Sequence, residues 1–109
     1  MGEVYLAEDS RLDRKVALKF LPEEMQRDST AKKRFLREAK SAAALDHPYI
    51  CHIHEVGEAE GKSFIAMEYL QGTTLREKLT EGPLPLRNAL ETAGEITEAL
   101  EAAHKQKIV

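Results

Sequence analysis

Tryptophan is absent from this chain of 109 residues, and aromatic side chains make up only 6% of it. A core so short of large rings cannot be big, so the length holds one modest domain or part of a larger one. A single cysteine, Cys51, excludes an internal disulfide and fits a reducing compartment. No run approaches the roughly 18 consecutive apolar residues of a membrane-spanning helix, and Met1-Gly2-Glu3 begins no signal peptide. The expectation is a cytoplasmic chain with no membrane segment. An excess of basic residues is missing too: 16 Lys and Arg stand against 19 Asp and Glu, for a net charge of −3, with the signs interleaved. That argues against nonspecific nucleic-acid or anionic-membrane binding and leaves room for a small anionic ligand held locally. Internal repeats, low-complexity tracts and interdomain linkers are likewise missing. With 32% charged residues, the composition is that of a globular chain with a helix-rich surface.

The pattern that is present reads β-β-α-β-β followed by two helices. Val4 and Leu6, running into Glu8-Asp9-Ser10, form a strand, and Lys15 to Leu21 its hairpin partner across Arg11-Leu12-Asp13-Arg14. Pro22 stops the second strand. A helix follows from Ser29 to Leu45, capped by Asp28 or Ser29 and ended by Asp46-His47-Pro48. Tyr49 to Val56 and Ser63 to Tyr69 read as two more strands around a loop from Gly57 to Lys62. Thr74 to Leu79 makes a short helix, and Pro85 opens a long one in which Leu86, Leu90, Ala93, Ile96, Leu100 and Ala103 repeat at helical spacing.

Two charges stand out against this pattern. At about 100° per residue, Leu45, Ala42, Phe35, Ala39, Ala43 and Leu36 fall on one arc of the first helix. Glu38 lies within that arc, although the face carrying Arg34, Arg37, Lys40, Lys33 and Ser41 was open to it. A buried carboxylate without a cation is costly. Lys19 is the expected partner, because strand alternation puts Ala17, Lys19 and Leu21 on one face and Val16, Leu18 and Phe20 on the other. A solvated edge lysine and a glutamate reaching water from the arc boundary are the competing structural explanation.

With the start Gly2-Glu3-Val4-Tyr5, the segment Val16-Ala17-Leu18-Lys19, the helix triplet Arg37-Glu38-Ala39, the turn His47-Pro48-Tyr49-Ile50 and the stretch Phe64-Ile65-Ala66-Met67-Glu68-Tyr69-Leu70 in order, the chain resembles the amino-terminal lobe of a protein kinase. The resemblance is to bacterial serine/threonine kinases of the eukaryotic-like type and extends over essentially the whole chain. It implies an α+β fold: an antiparallel sheet with one helix over residues 1–72, then the first helices of the carboxy-terminal lobe over 73–109. It implies that Lys19 holds the α- and β-phosphates of ATP and pairs with Glu38. On the same footing Gly2 is the last glycine of the loop over the phosphates, Val4 and Ala17 roof the adenine, and Leu75 supplies its floor. Met67 gates the pocket behind the base, and backbone groups of Glu68 and Leu70 bond its edge. Ala42 and Ile53 would stack in the apolar column running toward the other lobe.

The family pattern is incomplete here. Only the last glycine of the Gly-rich loop is present, so Met1 reads as an internal methionine. His104 to Val109 resembles the stretch just before the catalytic loop. The catalytic Asp and the metal-binding Asn and Asp are not in these residues, so ATP binding should be weak, magnesium belongs to the longer family members, and the polypeptide alone should transfer no phosphate to a protein substrate. An exposed first strand and an uncovered last helix predict marginal stability or self-association. Two rival functions remain: a noncatalytic lobe that docks onto another chain, and a metal module built from His47, Cys51, His52 and His54. The second has poor spacing, since on a strand His52 and His54 face one way and Cys51 the other.

Overall fold

A computed structural model describes residues 3–109. Four strands form one antiparallel sheet: β1 (Val4–Asp9), β2 (Arg14–Phe20), β3 (Ile53–Ala59) and β4 (Lys62–Glu68), in the spatial order β1-β2-β4-β3. Three helices join it, α1 (Ser29–Ala43), α2 (Leu75–Thr80) and α3 (Leu86–Lys105), so the fold is α+β.

Local chemistry explains most of the element boundaries. In the β1–β2 turn, the Asp9 carboxylate accepts from the amides of Arg11 and Leu12, and Asp13 takes the left-handed conformation. α1 starts where the Asp28 carboxylate accepts from the Thr30 and Ala31 amides, the expected cap. At α2 the Thr74 hydroxyl accepts from the Glu77 amide at 3.1 Å, in a Thr-x-x-Glu frame.

Two expectations need correction. The third strand begins at Ile53, not Tyr49, because Pro48 opens a turn: the Tyr49 amide donates to His47 Nδ1 and the Ile50 amide to the His47 carbonyl, both at 3.1 Å. The expected loop from Gly57 to Lys62 is a tight hairpin instead. Glu60 and Gly61, with φ of 52° and 77°, make its two-residue turn, and pairing runs up to Ala59 and Lys62. Two left-handed residues match the twist of the flanking strands, whereas ordinary turns would splay them.

Core burial is shallow. Val16, Ala17, Leu21, Ala39, Leu45 and Ala66 are the buried apolar residues. α1 contributes Ala39 and packs on β3, with Lys32 reaching Glu58 at 3.6 Å. The long helix α3 stands largely apart, with Leu86 and Leu90 exposed, and the radius of gyration is 16.1 Å. A compact chain of this length would have about 13 Å.

On the sheet face opposite the one bearing Lys19, Tyr5, Phe20 and Phe64 line up, with successive ring centroids 5.9 Å apart. Phe64 pairs with Gly57, and a β-carbon on Gly57 would meet the ring at 2.8 Å. Gly57→Ala is therefore expected to tilt Phe64 off Phe20 and to cost about 1 kcal/mol, the low end for overpacking because the ring is only half-buried. A lowered urea midpoint at unchanged slope is the check.

Candidate functional site

Register decides which side chains share a face. Val4 pairs with Lys19 and Leu6 with Ala17 on one side of β2, while Met67 pairs with Ala17 and Ile65 with Lys19 on the other. Directly opposed residues of an antiparallel sheet project to the same side. Val4, Ala17, Lys19 and Met67 therefore lie on one face, with the small Ala17 buried between the two neighbouring strands. Of these four side chains Lys19 brings the charge, and the next pair toward the β1–β2 turn on this face, Glu8 with Lys15, is charged as well.

Glu68 ends β4 beside that face. Its amide donates to the His52 carbonyl at 2.8 Å, and its carboxylate accepts from the His52 amide at 3.2 Å. Its own carbonyl receives the Cys51 thiol at 3.6 Å. That contact is weak, so the carbonyl keeps acceptor capacity while the amide is engaged. Leu70 is 62% exposed and Leu75 40% exposed. Leu75 lines a groove of about 720 Å³ with Leu45, Tyr49, Ile96 and Leu100, which does not include Ala17 or Lys19. Gly2 lies outside the described residues.

Glu38 departs from the sequence expectation. It is exposed, not buried. Lys19 has an interaction of its own, and further ion pairs join Arg14 to Asp9, Lys32 to Glu58 and Lys105 to Glu101. The helical arc places Glu38 between Leu45 and Ala42, yet the side chain is exposed where Leu45 is buried. What periodicity cannot see is that α1 packs on β3 alone among the strands with extensive contact, so the arc's far border opens to water.

The His and Cys residues form a different cluster. The rings of His52 and His54 stand 5.4 Å apart, edge to face, and His54 Nδ1 lies 3.5 Å from the Arg14 guanidinium, which in turn holds Asp9 at 3.2 Å. Among the described residues, no three His, Cys, Asp or Glu side chains gather as metal ligands. Burial, followed by the Glu68 carboxylate, pushes the Cys51 thiol above its ordinary range, which disfavours the thiolate a metal would need. Burial first, then Arg14 and His52, lower His54 below its ordinary 6.5, against weaker opposing pulls from Glu68 and Asp9.

A histidine with a depressed folded-state pKa binds fewer protons folded than unfolded, so its contribution falls away as pH drops through and below 6.5. His54→Asn should flatten the decline in melting temperature between about pH 7 and 5, a window set by that lowered pKa. An unchanged slope would show that other groups set it.

Two features of the site had no signal in the sequence: the Lys32–Glu58 pair between α1 and β3, and Gln26, whose side chain ties the strand ends together. Both depend on partners more than 25 residues away in the chain. No helix among the described residues is long and apolar enough to cross a membrane.

Against known proteins, the model of the protein kinase domain matches residues 1–109. Serine/threonine-protein kinase PrkC of Bacillus subtilis is 46% identical over 110 residues, covering all of this chain and 17% of that protein. Serine/threonine-protein kinase PknB of Mycobacterium leprae is 43% identical over 114 residues, covering all of this chain and 18% of that protein. Among solved structures, the PknI kinase domain of Mycobacterium tuberculosis superposes with a TM-score of 0.82 at 35% identity, over 97% of this chain and 44% of that one. The chain thus spans less than a fifth of the length of these curated relatives, and less than half of the solved domain.

Proposed function

The chain belongs to the protein kinase domain family, and from that premise we propose that it forms the ATP-holding part of a serine/threonine protein kinase. In this reading residues 1–72 are the amino-terminal lobe and 73–109 the first helices of the carboxy-terminal one. The observation that carries it is the shared face of Val4, Ala17, Lys19 and Met67. A purine base needs an apolar slab with polar backbone at one edge. Ala17 and Val4 supply the slab, and Met67, directly opposite Ala17 on β4, stands as the gate. The Glu68 carbonyl, with its weak thiol contact, suits an exocyclic amine; its amide is taken up by His52. Leu70, two residues beyond Glu68, is exposed and can offer main-chain groups, while Leu75, the apolar floor in this reading, is exposed on the groove it shares with Leu45 and Tyr49.

Lys19 is the charged member of these four, and its role is to attract and orient phosphate oxygens as a point charge. Glu38, on the border of α1, is the residue that would hold Lys19 in place once the helix moves inward, a swing that its thin packing against the sheet permits. In this reading magnesium belongs to the longer family members, and no ligand for it is assigned among the described residues. Phosphoryl transfer also requires a base that orients the acceptor hydroxyl. Nothing in this constellation does that, so a polypeptide of these residues binds nucleotide weakly and transfers no phosphate.

The test is calorimetric titration with ATP and with adenosine, alongside a phosphotransfer assay with labelled ATP. Binding of ATP that is stronger than that of adenosine, without transfer, is the expected result. Equal binding of both overturns the phosphate role of Lys19, and transfer overturns the inactive reading.

One observation favours self-association as a second property. Leu86, Leu90, Ile96 and Leu100 on α3 are all at least 46% exposed. Such a stripe is a contact surface, and it suits the docking alternative better than the metal one.

A further inference from the structure

Between β2 and α1 the chain passes through Leu21, a single 3-10 turn (Glu23–Met25) and Gln26 before the cap at Asp28. The Gln26 side chain closes this segment back on the sheet. Its Nε2 donates to the Leu21 carbonyl at 2.8 Å, and its Oε1 accepts from the Ser63 amide at 3.1 Å. The Leu21 amide donates to the Ser63 carbonyl at 3.1 Å. The three bonds form a closed ring that extends the β2–β4 ladder by one rung made from a side chain. Leu21 is 5% exposed and Ser63 is fully enclosed, so water has little access to replace a lost bond.

This ring sits between the two halves of the proposed phosphate grip. Lys19 lies two residues before Leu21 on the same strand face, and Glu38 lies on the helix that begins three residues after Gln26. We infer that Gln26 is a positioning residue: it fixes the end of β2 and the root of α1 as one unit, so that the helix moves about this point and Lys19 keeps its aim when it does. The second tether, Lys32 to Glu58, is long and partly exposed and lies one turn into α1, so it guides the swing without setting the pivot. A glutamine suits the task because its amide carries donor and acceptor on one planar group, matching a carbonyl on one strand and an amide on the other.

The inference rests on the ATP reading above, and the experiment separates the two. Gln26→Leu removes both bonds at similar size. Affinity for ATP should fall about three- to tenfold, the loss of one or two net hydrogen bonds transmitted to the phosphate grip, while affinity for adenosine stays unchanged. In the double variant with Lys19→Met, Gln26→Leu should add no further loss, because its effect runs through Lys19. Gln26→Glu keeps the acceptor for Ser63 but sets a carboxylate against the Leu21 carbonyl; it should reproduce the ATP-selective loss, and it serves where the leucine variant fails to fold. Equal losses for ATP and adenosine, or losses that add in the double variant, would make Gln26 merely structural and overturn the inference. A wild-type chain with no preference for ATP over adenosine overturns the nucleotide reading and this one with it.

Discussion

Lys19→Met is expected to lower the affinity for ATP by about 10- to 100-fold, the value of a charged hydrogen bond of about 1.5–3 kcal/mol, and to leave adenosine binding within experimental error. The asymmetry follows from where the charge sits. Lys19 shares a face with Val4, Ala17 and Met67, whose contribution is apolar area, and methionine preserves most of the lysine stem. What is lost is the ammonium and its pull on phosphate. Titration of both ligands into both proteins decides it. A parallel fall for adenosine would mean that the substitution had disturbed the apolar slab; no fall for either would place the phosphates elsewhere. Glu38→Gln should be milder, because Glu38 is exposed with the helix in its present position and acts only through Lys19. Higher salt should shrink the ATP advantage of the wild-type chain, as screening of a partly exposed ammonium requires.

Leu21→Ala should have the largest effect on stability. The side chain is 5% exposed, and truncation of a buried leucine costs about 2–5 kcal/mol in lost transfer energy and residual cavity. A domain of this size holds on the order of 5–15 kcal/mol in total, and this one buries few large side chains, so the loss is expected to remove the cooperative melt near physiological temperature. Leu12 is the control: it is 64% exposed at the tip of the β1–β2 turn, and Leu12→Ala should change the stability by less than about 0.5 kcal/mol. Circular dichroism melts of the three proteins make the comparison. A mild Leu21→Ala would indicate that the Gln26 ring, which uses the Leu21 backbone, holds this corner without the side chain.

Much of this architecture was legible in the residues. Period-two alternation in Lys15–Leu21 and helical spacing in Ser29–Leu45 and Leu86–Ala103 reflect constraints between near neighbours, which a linear pattern records. The Asp28 cap and the terminating Pro22 act within a few residues, and they fall where expected. The family motifs spaced along the chain matched the protein kinase domain across its length. The start of β3 was misplaced because Tyr49 to His52 has the composition of a strand, yet bonds from His47 bend it into a turn. The two-residue hairpin at Glu60-Gly61 was hidden by the run of small and polar residues around it.

Other properties belong to tertiary structure alone. Which residues of β1 and β4 oppose Ala17 and Lys19 is a matter of register between segments dozens of positions apart. So are the edge-to-face contact of His54 with His52 beside Arg14 and the ring that Gln26 makes with Leu21 and Ser63. Glu38 is the sharpest case: the sequence alone determined that it lies within an apolar arc, but its solvent exposure depends on how far α1 leans onto the sheet. That lean is set by a few contacts with β3 and one tether to Glu58, weak enough together that no local pattern could encode it.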